Sequence, residues 1–288
     1  MPETRFFQSV QLSDLTLRVA NLAQVQAFYE DVLGFARVGP AGGGTVRLAP
    51  PGGPLTLLVL EAAPEAPARP RGSAGLFHVA FLYPDRAALA RALQRVLELD
   101  VPIGSADHGV SEAIYLYDPE GNGIELYADR PPEAWPPRGD DGQVTMFTEA
   151  LDLPPLLTLA RQPGPLLPGT TRIGHVHLSV ADLAHAERFY AGALGFTVTQ
   201  RSYPGALFAG RDGYHHHLAA NIWRSRQPAI PGALGLAEFT IRVSQRAEFA
   251  DVTKRLNTAG YIREQGDDTV VAEDDAGIIV RTVLDDGR

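Results

Sequence analysis

Apolar and polar positions recur with two different periods along this chain, and the switch between them occurs twice in nearly the same words. Leu15–Phe35 reads LTLRVANLAQVQAFYEDVLGF and Val176–Phe196 reads VHLSVADLAHAERFYAGALGF, with ten of 21 positions identical and no gap. Each segment opens on the alternation of a half-buried strand and continues with helical spacing. In the first copy Leu22, Val25, Phe28, Tyr29, Val32 and Leu33 share one face of that helix. Gly34 and Gly195 stand where a left-handed residue would end each helix.

After each helix, turn residues cut the chain into short strands. In the first copy these are Thr45–Ala49 and Leu55–Glu61 around PPGG; in the second, Ala206–Ala209 and Tyr214–Trp223 around GRDG. A related unit lies between the copies: strand Phe77–Tyr83, helix Arg86–Leu99, strand Ala113–Tyr117, a hairpin turn DPEGNG, and strand Ile124–Ala128. A further unit follows them, with Ala237–Val243, Arg246–Thr258, Thr269–Glu273 and Ile278–Leu284. The expected fold class is α+β, with four tandem βαβββ modules in two pairs. An N-terminal domain over 1–130 and a C-terminal domain over 170–288 flank a Pro-rich connector, 131–169.

Composition narrows the setting. The chain has no cysteine, which excludes disulfides, thiolate metal sites and a cysteine nucleophile. A formal charge of −9, with arginines scattered rather than grouped, argues against a nucleic-acid partner. No apolar run is long enough to cross a bilayer, and MPETRFFQSVQLSD lacks the features of a secretory signal. These features lead to the expectation of a cytoplasmic enzyme with no membrane partner.

Four βαβββ units in tandem resemble the vicinal oxygen chelate superfamily of glyoxalase, bleomycin-resistance and extradiol dioxygenase proteins, over nearly the whole chain outside the connector. The resemblance implies that modules pair into two glyoxalase-like half-barrel cups, with a metal inside a cup. In that superfamily one ligand comes from the first strand of a module and another from its last. At those positions module one offers Asp14 and Leu57, and module two offers His78 and Glu125. Module three offers His175 and the run His215, His216, His217, and module four offers Glu238 and Arg281. An arginine cannot ligate a cation, so module four has given up its site. A lone strand histidine is commonly a core residue. Here two histidines and a carboxylate occupy corresponding positions, and together they make the ligand set of non-haem Fe(II) oxygenases. The expected metal ligands are therefore His78, Glu125 and His175. Their distribution favours a cup built from modules two and three over one built from modules one and two.

The stretch HGVSEAIYLYDPEGNGIE is similar to the signature of type I extradiol dioxygenases, the catechol 2,3-dioxygenase-type ring-cleaving enzymes. His108, Ile114, Tyr115, Asp118, Pro119, Gly121 and Glu125 match it; Ala106 departs from it at a peripheral position. By this resemblance His108 and Tyr115 line the pocket near the substrate oxygens. A histidine from 215–217 would serve as the acid–base catalyst. Strand alternation would place His215 and His217 on one face and His216 on the other. Matching His217 to Glu125 favours the former pair pointing inward, and a bulge would reverse it, so all three stay candidates.

The implied activity is extradiol cleavage of a catechol-type ring by O2 at Fe(II), with Mn(II) the alternative metal and a homo-oligomer the usual assembly. Two other functions compete. A glyoxalase-type isomerase would use His217 as a fourth ligand, and a binding protein for drugs or aromatics would need the cup and no metal.

Overall fold

A computed structural model describes residues 9–40 and 42–285. Module one comprises β1 (Val10–Val19), α1 (Leu22–Ala27), β2 (Ala36–Val38), β3 (Thr45–Ala49) and β4 (Leu58–Ala62). Module two comprises β5 (Gly75–Leu82), α2 (Arg86–Glu98), β6 (Gly104–Asp107), β7 (Ser111–Tyr117) and β8 (Gly123–Asp129). The connector carries α3 (Leu153–Thr158). Module three has β9 (Arg172–Ser179), α4 (Leu183–Glu187), β10 (Thr197–Gln200), β11 (Ala206–Gly210) and β12 (Leu218–Asn221). Module four has β13 (Gly235–Val243), α5 (Arg246–Ala259), β14 (Ile262–Gln265), β15 (Thr269–Glu273) and β16 (Ile279–Leu284). No helix among the described residues is long and apolar enough to cross a membrane.

Local chemistry sets the helix ends. The side chains of Asn21, Asp85 and Asp182 accept hydrogen bonds from the first-turn N–H groups of α1, α2 and α4. Both repeated helices widen into a π turn, Phe28–Val32 and Arg188–Ala193, and stop at Gly34 (φ +82°) and Gly195 (φ +81°). These turns bury Tyr29 and Tyr190. Tyr190 donates to the Asp274 carboxylate at 2.8 Å, and Tyr29 lies beside Asp118. The tyrosine of each repeated helix thus meets the aspartate of a hairpin turn in the following module.

The strands form two eight-stranded sheets, ordered β14-β15-β16-β13-β1-β4-β3-β2 and β10-β11-β12-β9-β5-β8-β7-β6. Every module runs first–last–third–second, and the first strands of two modules are neighbours in each sheet. Modules two and three share one sheet; modules one and four share the other. The second strand of each module (β2, β6, β10, β14) has no counterpart among the sequence expectations. These strands are short and lie at the sheet edges; β2 and β14 are largely exposed, and β6 and β10 are partly buried.

Packing groups the described chain into two compact units. One draws on residues 9–17, 66–77 and 175–285, the other on 18–40, 42–65 and 78–174. In the first, Phe249, Val252 and Leu256 of α5 are buried together with Phe239, Ile241 and Val280 of the sheet. In the second, α2 buries Leu89, Leu93 and Val96, as the apolar stripe of an amphipathic helix should.

Candidate metal centre

The DPEGNG turn determines where Glu125 and Tyr115 fall. Asp118 Oδ1 accepts from the N–H groups of Glu120 and Asn122, and Oδ2 accepts from the Asn122 side chain. Gly121 supplies the left-handed residue (φ +82°) that closes the hairpin. Burial raises the Asp118 carboxyl above the usual carboxylate range, against the lowering effect of these hydrogen bonds. The resulting register sets Tyr115 opposite Glu125 on β7 and β8. On the other side β8 pairs in parallel with β5, and Ala80 lies beside Glu125. His78, two residues before Ala80 on the same face, brings Nε2 to 2.9 Å from Glu125 Oε2.

His78, Glu125 and His175 are all buried, and each offers a ligand atom within 4.8 Å of the other two. Tyr115 packs against His78 with ring centroids 5.5 Å apart. Tyr115 OH is 2.6 Å from His108 Nε2, while His108 Nδ1 lies 2.7 Å from the Phe147 carbonyl oxygen.

The histidine run corrects one expectation. Tyr214–Trp223 is not a continuous strand: β12 covers only Leu218–Asn221, and residues 215–217 run as irregular backbone between the preceding turn and the strand. The cause is the tight turn before it, with Asp212 at φ +53° and Gly213 at φ +82°, closed by Tyr214 N–H to Arg211 O at 2.9 Å. Alternation therefore does not govern these side chains. The His216 ring is nearest to His175, at a centroid distance of 4.2 Å, and His215 follows at 6.5 Å. His215 Nδ1 and His216 Nδ1 are 2.8 Å apart. His217 is buried, and its Nδ1 accepts from the Arg211 N–H at 3.2 Å.

His177 did not stand out in the sequence. It lies two residues after His175 on β9, so alternation places both on one face, and this is the signal that would have found it. It is buried, and its Nε2 lies 3.0 Å from Asn221 Nδ2. Its ring touches Phe77, Phe208 and Trp223, and Phe208 in turn packs against His216. A run of aromatic rings therefore leads from His175 and His216 to Trp223, which is partly exposed. Phe81 and Tyr127 are fully buried core residues. At the corresponding positions of modules one and four, Arg281 forms a bidentate pair with Glu238 at 2.9–3.0 Å, and Asp14 accepts from Thr240 Oγ1 at 3.0 Å.

The family model of the glyoxalase/bleomycin resistance protein/dioxygenase superfamily matches residues 11–126 and 172–277. The chain belongs to this superfamily. It is 39% identical over 277 residues to the catechol-2,3-dioxygenase of Bacillus subtilis (strain 168), covering 94% of this chain and 96% of that protein. Among solved structures, one from Bacillus subtilis subsp. subtilis str. 168 superposes with a TM-score of 0.67 at 13% identity, over 96% of this chain and 86% of the other. A single-site mutant of glyoxalase I from Zea mays gives 0.58 at 16% identity, over 98% and 95%. The fold of this superfamily member is accordingly α+β, with four βαβββ modules in two glyoxalase-like cups.

The donor set in this glyoxalase/dioxygenase-superfamily chain suits a divalent transition metal. Two imidazoles and one carboxylate match the nitrogen and oxygen preferences of such ions and leave positions open on a six-coordinate centre. The three buried side chains lie within 4.8 Å of one another, close enough for one ion to take a ligand atom from each. The group can hold a metal; the donor chemistry alone does not select which one.

Proposed function

We propose that this chain is an extradiol dioxygenase that opens the ring of a catechol-type substrate with O2. Fe(II), with Mn(II) as the alternative, would be held by His78, Glu125 and His175. One observation carries the reading: a buried His–Glu–His group adjoins the His108–Tyr115 pair in a chain 39% identical, over nearly its full length, to a catechol-2,3-dioxygenase. The bound metal would supply open positions for both oxygens of the diol and for O2, together with a redox-active centre joining them.

The chain's own residues have separable tasks. Tyr115 and His108 form a hydrogen-bonded pair that would orient the diol. His216, closest of the three adjacent histidines to His175, would exchange a proton with the substrate, and His215 would support it through the 2.8 Å Nδ1–Nδ1 contact. At that separation one of the two nitrogens donates its proton and the other accepts it, so the pair is suited to proton transfer. His217, with Nδ1 accepting from the backbone, is the least suited of the three. Phe77, Phe208 and Trp223 offer an aromatic wall for a planar substrate and would keep water from it.

We divide the chain into an N-terminal domain over 1–130 and a C-terminal domain over 170–288, each of two modules, with the Pro-rich connector 131–169 between them, and place the enzyme in the cytoplasm as a homo-oligomer. The deciding experiment is O2 uptake by anaerobically purified, Fe(II)-reconstituted protein given a panel of catechols, with ring-opened product followed by its colour. The expected result is uptake in stoichiometric proportion to product. One bound metal per chain without uptake would replace this reading with an isomerase, and no bound metal would replace it with a binding protein.

A further inference from the structure

The connector is more than a spacer where it passes module two. Residues 143–149 fold back along the segment that carries His108, burying Val144 and Met146. Asp107 and Glu149 exchange two backbone hydrogen bonds of 3.0 Å. Between them the Phe147 ring lies against Gly109, where a side-chain carbon would come within 2.7 Å of the ring. Gly109 is also held at φ +76°, so this position requires glycine twice over. The loop is braced from behind: Asp107 accepts from the Gly109 N–H at 2.8 Å and from Arg130 Nη2 at 2.5 Å. Trp135 Nε1, at the start of the connector, donates to Arg130 O at 2.8 Å.

These contacts aim the Phe147 carbonyl at His108 Nδ1, 2.7 Å away. A carbonyl oxygen can only accept, so at that distance Nδ1 must carry a proton; two lone pairs facing each other would repel. The Thr148 hydroxyl is also near Nδ1 but at 3.4 Å, too far to decide the matter. In a ring that carries only this proton, Nε2 presents its lone pair to Tyr115 OH at 2.6 Å. Tyr115 then donates to His108, and its oxygen is left to act as an acceptor.

We infer that the connector, through the Phe147 carbonyl, fixes the tautomer of His108 and thereby makes Tyr115 a hydrogen-bond acceptor for a substrate hydroxyl. His108, Asp107 and Phe147 are positioning residues in this arrangement. The role assigned to Tyr115 rests on the dioxygenase reading; the tautomer does not.

The test is long-range 1H–15N NMR of the full chain, labelled with 15N-histidine and loaded with diamagnetic Zn(II). His108 is one of eight histidines, and its signals are identified by their loss in His108→Gln. The expected pattern is a protonated Nδ1 and an unprotonated Nε2. Phe147→Ala, and independently Gly109→Ala, should convert it to the mixed tautomers of an unconstrained imidazole, with Phe147→Leu closer to the parent. Tyr115→Phe should move the Nε2 signal while leaving the proton on Nδ1. An Nε2-protonated ring or an imidazolium in the parent protein would overturn the inference, since Tyr115 would then be free to donate. A tautomer unchanged in both the Phe147→Ala and Gly109→Ala proteins would overturn the connector's part in it. Because these spectra need no turnover, a failed O2-uptake assay would retire the dioxygenase reading and the role of Tyr115 within it, and would leave the tautomer result standing.

Discussion

The buried Tyr190–Asp274 contact allows a quantitative prediction about pH and stability. The Asp274 carboxylate is almost fully buried, with Oδ2 accepting from Tyr190 OH and Oδ1 from the N–H groups of Ala276 and Ile278, all at 2.8 Å. Burial pushes its pKa from 3.8 to about 6, against the lowering effect of those three hydrogen bonds, and the nearby Asp275 charge adds to the rise. The folded protein therefore binds this proton more tightly than the unfolded chain does. Between about pH 4 and 6 the native state holds more protons, so this group's contribution falls as pH rises. The full difference is about 3 kcal/mol, reached above pH 6. In Asp274→Asn, Oδ1 keeps both backbone partners and the amide donates to the Tyr190 oxygen, with no charge to bury. The substitution should therefore be more favourable at pH 7.5 than at pH 4.5, by about 2 kcal/mol, since about 1 kcal/mol of the difference already lies below pH 4.5. Urea denaturation of parent and variant at both pH values gives the comparison, and the difference between the two proteins cancels the other titrating groups. An Asn variant equally displaced from the parent at both pH values would show that Asp274 titrates normally and that the burial argument is wrong.

Three further outcomes are expected. His78→Ala and Glu125→Ala should each lose the metal, measured by metal analysis after anaerobic reconstitution; full retention in either would remove that residue from the ligand set. His216→Ala should lower turnover about 100-fold, the usual contribution of a positioned acid or base, and His217→Ala, with Nδ1 engaged by the backbone, should cost far less; equal losses in steady-state assays would contradict the order proposed. Gly174→Ala should destabilise the protein by about 1–3 kcal/mol, the usual cost of overpacking, because the Tyr127 hydroxyl occupies the space a side chain would need. A thermal melt unchanged from the parent would mean that Tyr127 moves aside freely.

Much of this architecture is legible one residue at a time. The helices of modules one and three appear in the sequence because a period of 3.6 follows a period of two, and because Asn21, Asp182, Gly34 and Gly195 mark their ends with local hydrogen bonds and backbone geometry. Glu125 and Tyr115 are similarly readable, since the Asp118–Gly121 turn sets their register over only a few residues. The edge strands β2, β6, β10 and β14 are not, because a strand exposed on its outer side has little apolar alternation to show. The histidine run misled for a related reason: three polar residues ahead of a strand look like its continuation until the Asp212–Gly213 turn rotates them out of register.

The sequence by itself therefore determined the modules, their caps and turns, and which side chains stand at corresponding positions, since each depends on interactions within a few residues. The distribution of candidate ligands also pointed to modules two and three as partners, and they share a sheet. Two matters were decided only by the tertiary structure: His216 is the nearest of its run to His175, and the Phe147 carbonyl meets His108 across 39 residues of chain. Sheet pairing and side-chain juxtaposition at that range depend on how whole surfaces fit together. A backbone carbonyl, in particular, carries no mark in the sequence, because every residue has one.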